Sequence, residues 1–111
     1  MEIYEEMQQK INQLNVAIKE LATTGSQYSK SYTQYRIALA QEIVRLKDDG
    51  MAITLCYDIA RGKPEIARLK FAEIRDEALY KANQENINAL KLQIRILESQ
   101  MDREYNNKYG N

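Results

Sequence analysis

The chain has 111 residues, 29% of them charged and 44% apolar, with Lys plus Arg and Asp plus Glu balanced at 16 each. That length allows one domain, residues 1–111, and the zero net charge supplies no long-range field to hold the protein on nucleic acid or an anionic membrane. There is no histidine and only one cysteine, Cys56, so an intramolecular disulfide, a Cys/His zinc site and the usual base for a Ser or Cys nucleophile are all excluded.

No Gly-rich phosphate loop is present either. The expectation is a protein that is not an enzyme and uses no cofactor and no metal. The start, Met1-Glu2-Ile3-Tyr4-Glu5-Glu6, is acidic and amphipathic rather than basic and then continuously apolar. No apolar run approaches a membrane span, so a cytoplasmic location with no membrane partner is expected.

Four Gly and one Pro leave few places for a helix to stop, so long helices are expected. From the beginning, Tyr4, Met7, Ile11, Leu14, Ile18, Leu21, Gly25, Tyr28, Tyr32, Tyr35 and Leu39 alternate spacings of three and four, a heptad seam. The phase survives Thr23-Thr24-Gly25-Ser26, which predicts one helix over about 2–48, kinked at Gly25, because an interior Gly costs only about 1 kcal/mol. The alternative is a break: Gly25 ends one helix, Ser26 caps the next, and the fold becomes a three-helix bundle. After Lys47-Asp48-Asp49, Gly50 stands where a left-handed residue ends a helix.

Residues 49–63 read as a connector holding a short helix over about 55–61, capped by Thr54 and closed by Gly62. Pro64 suits a first helical turn and Glu65 its positive dipole end, so a second long helix is predicted over about 64–106, with a frayed tail at 107–111. Its stripe is Ile66, Leu69, Phe71, Ile74, Ala78 and Leu79, then Tyr80, Ile87, Leu90, Ile94, Leu97, Met101 and Tyr105. Asp76, Asn83, Asn86 and Asn88 interrupt it, either as polar residues inside the seam or as residues facing water.

At 1.5 Å per residue the two helices would be roughly 70 and roughly 63 Å long, matched as arms of an antiparallel, coiled-coil-like hairpin in an all-α fold. A hairpin buries one seam, which leaves Val16, Ile37, Val44, Phe71, Ile74 and Ile96 needing cover. A second copy would supply it, a homodimer forming a four-helix bundle or a higher oligomer. The expected oligomer contacts are Tyr28, Tyr32, Tyr35 and Leu39 on the first helix and Ile87, Leu90, Ile94 and Leu97 on the last.

Tyr28, Tyr32 and Tyr35 could stack on a base or pack in the seam, where core packing suits a ring with its hydroxyl at the rim. Arg61, Lys63, Arg68 and Lys70 gather positive charge at the start of the last helix, either as a phosphate site or as a solvated face paired with Glu65 and Glu73. The connector adds apolar Met51, Ile53, Leu55 and Ile59 beside Tyr57. Tyr57, Arg61, Lys63, Arg68, Lys70 and Arg36 are therefore the candidate ligand or partner contacts, unless the connector folds back as a plug. Cys56 reads as a small buried residue.

The stretches Tyr35-Arg36-Ile37-Ala38-Leu39-Ala40, Asp49-Gly50-Met51-Ala52-Ile53-Thr54-Leu55, Ala60-Arg61-Gly62 and Ala89-Leu90-Lys91-Leu92-Gln93-Ile94-Arg95-Ile96-Leu97-Glu98 resemble small all-helical accessory proteins of phages and prophages of Gram-positive bacteria, a family without an established activity. The resemblance implies a viral protein acting in the cytoplasm of a bacterial host. It favours an oligomeric, anti-defence binding protein that inhibits or sequesters a host component, whether a host protein or a small nucleotide signal. The alternatives are a DNA-associated recombination or replication accessory protein, and a self-assembling structural scaffold.

Overall fold

The computed structural model describes residues 2–110, and among them the chain is all-α: α1 Glu2–Asp48, α2 Ile53–Gly62 and α3 Pro64–Tyr109. α1 is one helix and does not break at Gly25, so the three-helix alternative is set aside. A Cβ at position 25 would lie 3.2 Å from Cε1 of Tyr80. Glycine there lets the tyrosine ring lie against the helix backbone.

Acidic Glu2 and Glu5 open α1 and basic Arg45 and Lys47 close it, each sign at the dipole end that favours it. Gly50 takes a left-handed φ of +93°. The amide of Met51 donates to the carbonyl of Leu46 at 3.1 Å and that of Gly50 to Lys47 at 3.0 Å, the paired closure that satisfies orphan carbonyls at a helix end.

α2 begins at Ile53, two residues earlier than expected, with Ala52 as its N-cap and no side-chain cap. Thr54 therefore lies inside the first turn and does not cap it. At the other end Lys63 is extended, with φ −64° and ψ 134°, the conformation that a following proline imposes. Pro64, not a left-handed Gly62, turns the chain out of α2. α3 then runs through Tyr109, past the expected end near 106.

The chain divides into two compact units, Met1–Thr23 with Lys81–Asn111 and Thr24–Tyr80. In the first, α1 packs on α3 through Ala17, Ile87 and Leu90, with Leu14 and Leu21 against them. Ala17 is buried and Ile18 is 47% exposed, so the seam takes the alanine where the longer isoleucine was expected. The reason is close approach: Asn83, itself buried, donates from Nδ2 to the carbonyl of Ala17 at 3.0 Å. A bulky side chain at position 17 would hold the two backbones too far apart for that contact.

In the second unit, Tyr35, Leu39, Leu46, Cys56, Ala60 and Ile66 form the core, with Ala38, Ile43, Met51 and Leu69 packed around it. One turn before Tyr35 on α1 the seam turns polar. Ser31 is buried where Tyr32 was expected, and Glu73 and Asp76 are buried where Phe71, Ile74, Ala78 and Leu79 were expected. Asp76 accepts from Ser31 Oγ, from Gln27 Nε2 at 3.3 Å and from Arg75 Nε at 3.0 Å. Of the four polar interruptions, Asp76 and Asn83 lie inside the seam, while Asn86 and Asn88 are exposed.

Among the described residues no buried side-chain nitrogen or oxygen lacks a hydrogen-bond partner, so the polar stretch is satisfied. None of the helices is long and apolar enough to cross a membrane.

The choice of Ala17 over Ile18 can be checked by substitution. Ala17→Leu should destabilise the fold by about 1–3 kcal/mol through overpacking, and Ile18→Ala should stay within about 0.5 kcal/mol of wild type. Urea unfolding of the two variants gives the comparison; an equal or larger loss for Ile18→Ala would place the seam one residue along.

Candidate functional site

The connector is both plug and surface. Cys56 and Ala60 are fully buried against the core of the second unit, and the Cys56 thiol sits 3.4 Å from the carbonyl of Ala52 as a donor. That thiol is packed and hydrogen-bonded rather than presented. Ile53, Leu55, Tyr57 and Ile59 flank the buried face and remain about half exposed. The guanidinium of Arg61 lies 5.5 Å from the centroid of the Tyr57 ring, close enough for a cation–π contact.

The basic cluster does not stay together as one field. Lys63 Nζ lies 3.0 Å from Oε1 of Glu42, a partner on α1 rather than the expected Glu65 or Glu73. Lys70 Nζ donates to Glu73 Oε2 at 2.8 Å and sits 4.8 Å over the Tyr35 ring. Arg68 donates from Nε to the carbonyl of Pro64 at 3.3 Å. Arg36 is exposed on α1. Of the six expected contacts, Tyr57 and Arg61 are thus brought together at the surface, and Lys63 and Lys70 are tied to carboxylates.

The residues expected to join copies divide differently. Tyr35, Leu39, Ile87, Leu90 and Leu97 are each no more than 7% exposed within the single chain, so the chain's own seam uses them and leaves little for another copy. Tyr28 and Ile94 are half-buried and Tyr32 is exposed. The Tyr28 hydroxyl reaches the rim and donates to Glu77 Oε2 at 2.9 Å, while the Tyr32 ring meets Tyr28 edge-on at 6.4 Å. Tyr35 and Tyr28 pack in the seam and form no open ladder for bases.

Glu42 and Ser31 were not singled out in the sequence and Glu73 only as a partner on a solvated face, yet all three are buried and bonded. A signal was available: Ile66, Leu69, Glu73, Asp76, Tyr80, Asn83 and Ile87 keep an unbroken alternation of three and four once charge is ignored.

Hydrogen bonds from Arg45 and Lys63 hold the Glu42 carboxyl down at about 2, well below its ordinary 4.5. Arg75, then Ser31, hold Asp76 below its ordinary value against the opposing effect of burial. Glu73 raises Lys70, and the bond to Glu77 raises the Tyr28 hydroxyl. These groups stay ionised or protonated at neutral pH and suit structural pairing, with nothing poised to exchange a proton there. Among the described residues, no three His, Cys, Asp or Glu side chains converge as metal ligands would.

Compared with protein-family models, curated proteins and solved structures, the chain matches no family model, no curated protein and no solved structure.

Both Glu42 and Asp76 have folded values below their unfolded ones, so their stabilisation is present above the unfolded value and is lost as pH falls through the folded one. For Glu42 that window runs from about 4.5 down to about 2. Denaturant midpoints should therefore fall between pH 5 and pH 2, and Glu42→Gln should flatten part of that slope; a variant with an unchanged slope would separate Glu42 from acid sensitivity.

Proposed function

We propose that the protein is a non-enzymatic, self-associating helical binding protein that engages a protein partner through the outward face of α2, as a phage accessory protein that blocks or sequesters a host component would. The observation that carries the reading is α2 itself. Two of its residues are wholly buried and fix it in place, and four large apolar side chains flank them half exposed. A rigid element presenting apolar and aromatic area loses little conformational entropy on binding, and Tyr and Arg are the residue types that anchor such contacts.

Self-association is supported by a second imbalance. Among the described residues Val16, Ile37, Val44, Phe71, Ile74 and Ile96 are all half exposed or more after the seam has closed. Scattered single apolar residues are ordinary on a surface. Two neighbouring residues at 67% and 57% on one helix, Phe71 and Ile74, are more than that and favour cover by another chain.

The nucleic-acid alternative is weaker, because Lys63 and Lys70 are within 3.0 Å of carboxylates. Contacts to several phosphates would need those cations released. A small nucleotide ligand meets the same difficulty at this site.

Native mass spectrometry of the purified protein should report more than one copy with a retained protein partner. Leu55→Asp with Ile59→Asp should release the partner while copy number and helicity stay as in wild type. Retention of the partner by that double variant removes α2 from the reading. Copies without any partner would leave a self-assembling scaffold, and tight DNA binding at low salt that weakens steeply as salt rises would favour the nucleic-acid alternative.

A further inference from the structure

In the unit formed by Met1–Thr23 and Lys81–Asn111, a groove follows one side of the α1–α3 pair. Three cavities lie along it, of about 410, 400 and 330 Å³. The first is floored by Ala17 and Leu90 beside Val16, the second by Leu97 beside Ile96, and the third begins at Ile3. The floor is the back of the seam itself. Val16 and Ile96 stand at its edges, 56% and 50% exposed.

The rims are ordered. On α1 the lining side chains Glu6, Gln13 and Glu20 are seven residues apart; on α3 so are Asn86, Gln93, Gln100 and Asn107. A seven-residue spacing keeps a row on one flank of a helix packed at heptad period. The α1 row thus carries two carboxylates around a carboxamide, with Lys10 and Asn12 beside it, and the α3 row carries carboxamides, joined by Arg103 and Glu104 in the third cavity. Carboxylates only accept hydrogen bonds, while each carboxamide offers two donor hydrogens as well as an acceptor.

We propose that the occupant of this groove is a second copy of the same chain, related by a two-fold axis parallel to the helices. This rests on the self-association reading above and specifies its surface. Such an axis lays each copy's α1 over the other copy's α3. Because Glu6 lines one cavity with Gln93 and Gln100, and Gln13 and Glu20 line the next with Asn86, the acceptor row of one copy then meets the donor row of the other at matching heights.

Every neighbouring pair of helices in that arrangement is antiparallel, and Val16 and Ile96 of both copies close over the shared floor as the core of a four-helix bundle. The other two-fold arrangement, α1 on α1 about an axis across the helices at Gln13, would set Glu6 of each copy against Glu20 of the other with like charges facing. A chain with no net charge has no long-range repulsion to oppose the pairing.

The test is sedimentation velocity of the full chain at micromolar concentration. Wild type should sediment as a dimer or larger, and Val16→Asp with Ile96→Asp as a monomer of unchanged helicity, while Ile37→Asp with Val44→Asp in the other unit should remain associated. Gln93→Glu with Gln100→Glu turns donors into acceptors and should weaken association by roughly tenfold or more; adding Glu6→Gln and Glu20→Gln should restore it. A monomeric wild type would defeat the self-association reading and the groove with it. Association that survives both groove variants would overturn the groove assignment alone.

Discussion

Two helices that meet along a single seam can hide only a strip of each, and every polar group inside that strip must find its partner within the strip or lose the solvation it had in water. Ser31 and Asp76 meet that demand in one unit, and Asn83 with the carbonyl of Ala17 meets it in the other. These contacts are short and directional, and each works in a single alignment of α1 against α3. Sliding either helix by one heptad would bury the same groups without partners. An apolar seam tolerates such slips far better, which is why a polar residue at a seam position specifies register.

The connector follows from that register. With Tyr35, Leu39 and Ile66 held opposite one another, a space is left that a small face can fill, and α2 fills it with Cys56 and Ala60. The closest-packed residues of the helix are thus two small ones. The same placement brings Lys63, extended ahead of Pro64, to the carboxylate of Glu42, so a proline's restriction on its neighbour becomes an ion pair between elements. What remains outward on α2 is the larger apolar side chains, available to another molecule.

Helix number, the boundaries of α1, the stop at Gly50 and the start at Pro64 were legible because each depends on local chemistry: a period, a left-handed glycine, a first-turn proline. Some of the apolar residues left outside the seam were legible too, since Val16, Ile37, Val44 and Ile96 stand off the heptad line. The failures share one cause. Scoring seam positions by apolarity chose Ile18 over Ala17, Tyr32 over Ser31, and Phe71 and Ile74 over Glu73 and Asp76. Small and charged residues win those positions through contacts with the opposite helix, which no single-helix pattern contains. The basic cluster misled for the same reason: Lys63 is neutralised by Glu42, 21 residues away in sequence.

The exposure of Phe71 and Ile74 beside buried Glu73 and Asp76 invites the question of why α3 does not simply rotate to exchange them. A helix cannot turn about its axis over one stretch alone, because its backbone hydrogen bonds fix the angle between successive residues. Within the second unit the phase of α3 is set just before the polar stretch by Ile66 and Leu69, packed in the core with Tyr35 and Leu39. A rotation large enough to bury Ile74 would expose those anchors. The polar seam is therefore imposed by its apolar neighbours and made tolerable by Ser31, Gln27 and Arg75. Phe71 and Ile74 are left outside for the same reason, which makes their exposure a consequence of the seam's phase, one that cover by another chain can relieve and a local repacking of α3 cannot.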